Sequence, residues 1–265
     1  MQVYRGMDIG TAKPTAAERA EVRHHLLDLA DVSERFTVAR FQLAADEAIA
    51  GIEARGRRAL LVGGTGLYLR AIVDRLGLPG EFPAVRTDLE AEAAATGTDG
   101  LHRRLSLVDP PAAARIEPSN RRRVVRALEV TIGTGRPFSS FGPGLTTYPH
   151  TAFRMAAVWL PRAVVSARIA RRYQAQLDAG FVDEVRAFAG RASATARQAL
   201  GYKEVLDHLA GGSTLEDAVD AAVRRTRAFA RRQRMWFRRD PRITWLAADE
   251  DPLAVAPTLL GNWSR

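Results

Sequence analysis

Residues 59–70 are ALLVGGTGLYLR, and this stretch decides the fold class. A short apolar run stops at two glycines, and apolar residues with helical spacing follow at once. That order predicts a buried strand, a tight turn, and a helix whose N-terminus points into the turn. Strands and helices that follow one another in this way are typical of an α/β fold.

The turn at residues 63–66 has two interpretations, contact with an anion and a purely structural turn. Gly63 and Gly64 let a ligand approach the backbone, and the free N–H groups at a helix N-terminus favour negative charge. Thr65 places a hydroxyl at the tip of the turn, where it can donate to a phosphate oxygen. Turns of this kind also occur in α/β folds without any ligand, so a purely structural turn stays open as a second interpretation.

The composition is that of a globular protein, with 265 residues of which 46% are hydrophobic and 26% charged. No apolar run approaches the roughly 20 residues of a membrane span, and the N-terminal sequence MQVYRGMDIG has no signal-peptide pattern. The chain has no cysteine, and its five histidines lack metal-ligand spacing. We therefore expect a cytoplasmic protein without membrane contact and without a metal site built from these residue types.

Two segments rich in proline and glycine divide the chain. Residues 76–83 hold two prolines and two glycines, and residues 133–149 are rich in Gly, Pro, Ser and Thr. The pattern between them is helical with short breaks. This predicts an α/β core of residues 1–83 and 150–265, interrupted by an inserted all-helical domain of residues 84–149.

The core has further predicted elements. Residues 153–160 (FRMAAVWL) and 243–246 have the composition of strands, and residues 214–238 belong to a helical C-terminal part. Thr15 followed by Glu18 predicts a capping box at the start of a short helix.

Positive charge is concentrated in two clusters, within a net charge of +9. Residues 121–130 (RRRVVRALEV) form a predicted helix with three arginines on one outward side, and residues 224–242 hold nine arginines with Asp240 as the only acid. Arginine forks bind phosphates, and aromatic residues lie between the arginines of the second cluster, so nucleic acid is the expected partner. A solvated helix face is the alternative. The outward arginines of the first cluster are Arg122, Arg123 and Arg126.

Seven motifs occur in one order along the chain. They are MQVYRGMDIGTAKP at 1–14, HHLLD at 24–28, FTVARF at 36–41, LVGGTGLYLRA at 61–71, RRRVVRALEV at 121–130, QALGYKE at 198–204 and RRQRMWFRR at 231–239. Together they resemble the tRNA dimethylallyltransferase (tRNA isopentenyltransferase) family over essentially the whole length. Several long matches in a fixed order are far more specific than any single motif.

The resemblance implies a fold, a reaction and partners. The fold is a P-loop-NTPase-like parallel sheet with an inserted helical domain. The reaction moves a dimethylallyl group from dimethylallyl diphosphate to the exocyclic amine of the adenosine 3′-adjacent to the anticodon in tRNA. The implied partners are the tRNA anticodon stem-loop and Mg²⁺, and relatives suggest a monomer.

The resemblance also implies site residues. Thr65 matches the threonine beside the attacked carbon and the target base. Arg172, with Gly63 and Gly64, matches the diphosphate-holding residues, although a solvated helix arginine remains the alternative for Arg172. The matched tRNA-binding positions are Met1, Gln2, Arg86, Arg122, Arg123, Arg126, Arg197, Gln198, Gly201, Tyr202, Arg231, Arg232, Gln233, Arg234, Trp236 and Arg238.

One part of the family pattern is missing. Relatives begin with a strand and a G-x-x-x-x-G-K-[ST] loop that cradles the diphosphate, and these 265 residues hold no such motif. The aspartate expected as general base would precede Met1, and Asp8 belongs to a different motif. We expect that Met1 is an internal methionine, rather than that the protein is a true truncation, and that the first strand and P-loop lie upstream.

For the chain as written we expect little or no transferase activity. Two other functions stay open. One is a non-catalytic tRNA-binding remnant. The other is a related isopentenyltransferase acting on free AMP or ADP, although a mononucleotide needs no long basic track.

Overall fold

In the computed structural model of this chain, the described residues are 1–142, 144–145 and 147–264. They form two compact units. The large unit consists of residues 1–72 together with the described part of 151–265, and the helical unit consists of the described part of residues 73–150. Pro143 and Thr146, in the predicted loop at 133–149, lie outside the described residues.

The described residues are mostly helical. The strands are β1 Met155–Trp159 and β2 Ile243–Ala247. In chain order the helices are α1 Ala16–Glu21, α2 Val38–Glu53, α3 Gly66–Val73, α4 Pro83–Thr96, α5 Thr98–Val108, α6 Pro110–Ala113, α7 Arg121–Thr134, α8 Arg162–Asp178, α9 Phe181–Arg186, α10 Tyr202–Leu209, α11 Leu215–Phe237 and α12 Ala256–Ser264.

Strands β1 and β2 pair in parallel and confirm the two strands predicted at residues 153–160 and 243–246. The register runs from Met155 opposite Ile243 to Trp159 opposite Ala247. Parallel neighbours require a long crossover connection, and helices α8 to α11 supply it. This β–α–β order places the chain in the predicted α/β class.

The prediction of a strand at residues 59–62 is wrong. The segment has no regular secondary structure, and the two-stranded sheet of the described residues does not include it. Leu60 is 66% exposed and Val62 is 86% exposed. A strand is stable only when a neighbour pairs with its backbone and covers its side chains, so an apolar run alone does not form one.

The core of the large unit is built from aromatic and aliphatic side chains of distant segments. Tyr4 and Phe36 come from the N-terminal segment, and Tyr173, Phe181 and Tyr202 come from α8, α9 and α10. The rings of Phe181 and Tyr202 pack edge to face with their centroids 5.0 Å apart. Such aromatic pairs contribute about 0.5–1.5 kcal/mol beyond the area that they bury. The N-terminal motifs are therefore held by the C-terminal helices.

The helical unit has its own core, and its helices confirm the helical pattern predicted between the two Pro/Gly segments. Leu101 and Leu105 of α5 pack with Val124 and Leu128 of α7, and all four are fully buried. Apolar residues four apart share one helix face, so each helix contributes one stripe to this core. Asn120 begins α7 by accepting a hydrogen bond from the Arg123 N–H at 3.3 Å.

The predicted capping box at α1 is confirmed. The Thr15 hydroxyl accepts from the Glu18 N–H at 3.2 Å, and the Glu18 carboxylate accepts from the Thr15 N–H at 2.7 Å. Because both partners lie within four residues, the sequence alone determines this contact.

Candidate functional site

The turn between residue 63 and helix α3 has an exposed threonine at its tip. The Thr65 carbonyl accepts hydrogen bonds from the Tyr68 N–H at 3.0 Å and the Leu69 N–H at 3.2 Å, which start the helix. The Thr65 side chain is exposed, so its hydroxyl is open to a ligand. A helix N-terminus favours negative charge, and this geometry is compatible with the predicted phosphate contact.

Two of the glycines in this turn are explained by packing against helix α11. A Cβ atom on Gly64 would lie 1.6 Å from the Gln233 side-chain nitrogen, and one on Gly66 would lie 2.2 Å from the Trp236 ring. The Gln233 Nε2 donates to the Gly64 carbonyl at 2.7 Å. Packing therefore explains Gly66, and it explains Gly64 as long as Gln233 keeps its hydrogen bond, as expected for a structural turn.

Gly63 is different. A Cβ atom at this position would meet nothing closer than the Leu69 side chain at 3.8 Å, which is ordinary van der Waals contact. The residue is also exposed. Packing therefore does not require a glycine here, and contact of Gly63 with the diphosphate stays a prediction.

A buried ion cluster closes the C-terminal end of α11. Asp240 is 2% exposed, and its carboxylate accepts from the Arg242 Nε at 2.9 Å and the Arg242 Nη2 at 2.6 Å. Burial opposes ionisation of Asp240, but the Arg242 hydrogen bonds and the charge of the buried Arg70 in α3 hold its pKa below the ordinary value. Asp240, which interrupts the arginine run in the sequence, is thus a structural counter-ion.

The arginines of residues 224–242 fall into two groups. Arg225 forms an ion pair with the buried Glu204, Arg234 lies with its guanidinium 5.0 Å from the Trp159 ring centre, and Arg242 pairs with Asp240. The others have exposed side chains and are free to contact phosphates. They are Arg224, Arg227, Arg231, Arg232, Arg238 and Arg239.

The predicted tRNA-binding stretch 197–202 is half exposed and half buried. Arg197 and Gln198 are exposed. Tyr202 is completely buried, and Gly201 is buried with φ +84°. As placed, the Tyr202 ring offers no surface to RNA. It packs on Phe181 instead, and a Cβ on Gly201 would lie 3.0 Å from the Tyr173 ring.

Glu184 links this stretch to the N-terminal motif. Its carboxylate accepts from the backbone N–H groups of Asp8, Ile9 and Gly10 at 2.7, 2.7 and 3.1 Å, and from the Tyr202 hydroxyl at 2.6 Å. Burial, together with the Glu184 charge, raises the pKa of Tyr202. The sequence analysis missed Glu184, because the contact spans more than 170 residues and leaves no local pattern.

The N-terminal motif is itself a salt-bridged loop. The buried Lys13 ammonium contacts the carboxylates of Asp8 and Asp28, the latter at 2.6 Å, and donates to the Tyr4 carbonyl at 2.8 Å. Asp8 is therefore engaged with Lys13. Gln2 donates to the carbonyls of the loop at residues 11 and 12, and Met1 is exposed.

Arg172 lies on helix α8 with an exposed side chain. The structure shows no contact between it and the Thr65 turn among the described residues. Both interpretations of Arg172, diphosphate ligand and solvated helix arginine, are compatible with this position.

In the helical unit, one buried acid pairs with two of the predicted RNA-binding arginines. Glu129 is fully buried and accepts from the Phe82 N–H at 2.9 Å, while Arg86 and Arg126 pair with its two oxygens at 2.6 and 2.9 Å. Burial would raise the pKa of Glu129, but these three donors outweigh it and hold the pKa below its ordinary value. The outward position predicted for Arg126 is therefore corrected, because the side chain turns toward a buried carboxylate.

Arg122 and Arg123 do have exposed side chains, as predicted. Glu129 was missed by the sequence analysis, although the sequence carries a signal for it. A charged residue between Leu128 and Val130, on the apolar side of a helix, needs a buried partner of opposite charge.

The residues described by the structure contain no cluster of three or more His, Cys, Asp or Glu side chains that could hold a metal ion. Mg²⁺ therefore stays a prediction. None of the described helices is long and apolar enough to cross a membrane.

Comparisons with known proteins give consistent matches. The family model described as IPP transferase matches residues 2–240. A tRNA dimethylallyltransferase from Kineococcus radiotolerans is 50% identical over 265 residues, covering 98% of this chain and 83% of that protein. Another from Streptomyces coelicolor is 50% identical over 250 residues, covering 93% of this chain and 80% of that protein.

Solved structures agree with these matches. The full-length tRNA isopentenylpyrophosphate transferase from Bacillus halodurans is 41% identical with a TM-score of 0.67, covering 99% of this chain and 84% of that one. A eukaryotic dimethylallyltransferase acting on tRNA superposes with a TM-score of 0.77 at 25% identity, covering 99% and 71%. The predicted fold class and the family resemblance are both confirmed: the chain belongs to the IPP transferase family, together with the proteins named tRNA dimethylallyltransferase.

Proposed function

We propose that this protein binds the anticodon stem-loop of tRNA as a monomer and prenylates one adenosine there. The dimethylallyl group comes from dimethylallyl diphosphate and goes to the exocyclic amine of the adenosine 3′-adjacent to the anticodon. One observation carries the proposal. The exposed Thr65 turn packs directly on α11, which bears four exposed arginines with two more directly after its end, within one unit.

The reaction is a displacement at carbon. The adenine amine nitrogen forms a bond to the allylic carbon, the carbon–oxygen bond to the diphosphate breaks, and pyrophosphate leaves with the electron pair. The amine then gives up one proton. Negative charge grows on the departing oxygen, so donors that face it stabilise the transition state most.

Particular residues fit these tasks. The Thr65 hydroxyl and the N–H groups at the start of α3 would donate to the diphosphate, and Gly63 would let it approach the backbone. Arg172 would add positive charge. The exposed arginines of α11, with Arg122, Arg123, Arg197 and Gln198, would bind RNA phosphates and bases. Magnesium would neutralise diphosphate charge when bound, and no step here depends on it.

The chain of 265 residues should transfer the group slowly, if at all. Asp8 is engaged with Lys13, which makes it unsuitable as the proton acceptor. The exposed Leu60 and Val62 lie directly before the turn, so the turn lacks the support of a paired strand among the described residues. These observations also favour a second candidate function, a protein that binds tRNA without catalysis.

The test uses the full chain, unmodified tRNA and dimethylallyl diphosphate, with the modified nucleoside measured by mass spectrometry. We expect tRNA binding in the micromolar range or tighter at low salt, together with a slow transfer that Thr65→Val reduces further. Thr65→Ser is the matched control, because it keeps the hydroxyl. Binding without any product would support the non-catalytic protein, and absence of salt-sensitive binding would refute both functions.

A further inference from the structure

We propose that Gln233 is a positioning residue that fixes the Thr65 turn on helix α11. Its functional consequence rests on the function proposed above. The sequence placed Gln233 among the tRNA contacts, yet its side chain points to the turn. The Nε2 atom donates to the Gly64 carbonyl at 2.7 Å, across 169 positions of the chain.

The steric fit between Gly64 and Gln233 is specific. A Cβ atom at residue 64 would lie 1.6 Å from Nε2 and 2.9 Å from Cδ of Gln233. The φ angle of Gly64 lies outside the left-handed region, so its backbone conformation is one that other residues adopt. A side chain at residue 64 would therefore displace the Gln233 amide and break its hydrogen bond, whereas the backbone itself does not require a glycine.

A second contact on the same helix face strengthens the attachment. Trp236 lies three residues after Gln233, and residues three apart on a helix are neighbours. Its ring occupies the space that a Cβ on Gly66, the first residue of α3, would need. Gln233 thus holds the turn by a hydrogen bond, and Trp236 holds the helix start by packing.

The attachment connects RNA binding to the reacting group. Gln233 follows the exposed Arg232 directly in the sequence, and Arg231 is exposed as well. The same rigid helix then positions both the bound RNA phosphates and the Thr65 hydroxyl. The register of the RNA on α11 would set where the target amine lies relative to Thr65.

The test is a double-mutant cycle in the full chain with Gly64→Ala, Gln233→Ala and the combination. Arg232→Ala is the matched control, since it removes the neighbouring side chain without touching the turn. Three quantities are measured: hydrogen exchange of the Tyr68 and Leu69 amides, affinity for a fluorescent anticodon stem-loop RNA, and the single-turnover transfer rate at saturating RNA.

We expect Gln233→Ala to raise exchange of these two amides up to about tenfold, because one hydrogen bond is lost. It should lower the single-turnover rate by a similar factor without changing RNA affinity. Gly64→Ala should displace the Gln233 amide and have a similar effect, and combining it with Gln233→Ala should add nothing further. Arg232→Ala should weaken RNA binding and leave amide exchange unchanged.

Two results would overturn the proposal. In one, the effects of Gly64→Ala and Gln233→Ala add in the combined variant, which would show that this glycine serves the ligand. In the other, Gln233→Ala weakens RNA binding and leaves the turn amides protected, which would make Gln233 an RNA contact. If wild-type protein fails to bind RNA, the proposed function is wrong, and the exchange data still decide whether Gln233 holds the turn.

Discussion

Helices α7 and α11 both carry runs of arginine, but the structure uses the two runs differently. In the α7 region, Arg126 and Arg86 share the buried Glu129, and Arg121 pairs with Glu90 at the surface. On α11, four arginines of the run at 224–242 are exposed, and Arg238 and Arg239 are exposed directly after its end. Similar arginine-rich patterns therefore produce a partly neutralised ion cluster around Glu129 in one region and an exposed basic surface in the other.

The position of the buried acids causes the difference. Glu129 lies on the apolar side of α7, where an uncompensated carboxylate would be costly, so two arginines turn inward to pair with it. Near α11, the buried Glu204 pairs with Arg225 alone, and Asp240 lies beyond the helix end and pairs with Arg242. The exposed part of α11 keeps its charge for a partner.

The largest effect is expected from Glu129→Gln. Removing the charge leaves Arg86 and Arg126 without their buried counter-ion, and breaking a buried pair costs roughly 3–5 kcal/mol. The free energy of unfolding of the full chain, measured in urea, should fall by that amount. Glu90→Gln, which breaks the exposed pair with Arg121, is the control and should cost less than about 1 kcal/mol. Equal effects would mean that the two regions do not differ as described.

The pairing of Glu129 with Arg86 and Arg126 also predicts that the stability of the protein depends on pH. Because the folded-state pKa of Glu129 is lowered from its ordinary 4.5, its stabilisation is present above pH 4.5 and is lost as pH falls through the lower folded-state pKa. The stability difference between wild type and Glu129→Gln should therefore shrink on acidification. Urea unfolding between neutral pH and pH 3 measures this. A difference independent of pH would show that Glu129 is not ionised in the folded protein.

Removal of positive charge from the arginine run at 224–242 should weaken tRNA binding and leave folding unchanged. The triple variant Arg227→Ala, Arg231→Ala and Arg238→Ala should weaken tRNA binding and lower the slope of log affinity against log salt by roughly two to three. Fluorescence titrations at several salt concentrations measure the slope. A second triple variant removes the same charge from exposed positions outside the predicted RNA-binding set. Its substitutions are Arg23→Ala, Arg57→Ala and Arg58→Ala, and its salt slope should match the wild type.

The smallest expected effect distinguishes the role of Arg122 from that of Arg126 within α7. Arg122→Ala should weaken tRNA binding severalfold, with a salt slope reduced by about one and unchanged stability. Arg126→Ala should instead lower stability, because it removes one partner of Glu129. Binding and urea unfolding are measured for both variants. If Arg126→Ala reduces affinity with unchanged stability, the inward pairing of Arg126 is not the dominant role of this side chain.

Local chemistry explains which parts of the fold could be predicted from the sequence. The capping box of Thr15 and Glu18, the helices of the inserted region, and strands β1 and β2 each follow from patterns within a few residues. The strand at residues 59–62 could not be judged in this way. Its apolar composition is correct for a buried strand, but a strand also needs neighbours that the local sequence does not specify.

The candidate site was predictable in residue type and less so in role. Thr65, Arg231, Arg232 and Arg238 are exposed, as their predicted roles require, whereas the predicted RNA contact Arg234 lies against the Trp159 ring. The inward turn of Arg126, the burial of Tyr202 and the contact of Gln233 with Gly64 depend on partners far away in the chain. Such partners leave no spacing pattern, so these roles emerged only from the three-dimensional arrangement.

Glu184 has a consequence for how the protein is made. The loop at residues 8–10 has its three backbone N–H groups satisfied by a carboxylate that the ribosome adds more than 170 residues later. Until that helix emerges, the N-terminal loop has no native partner for these groups. The N-terminal loop therefore cannot make its native contacts before Glu184 has been synthesised. Folding of the large unit can be completed only after synthesis has passed residue 202.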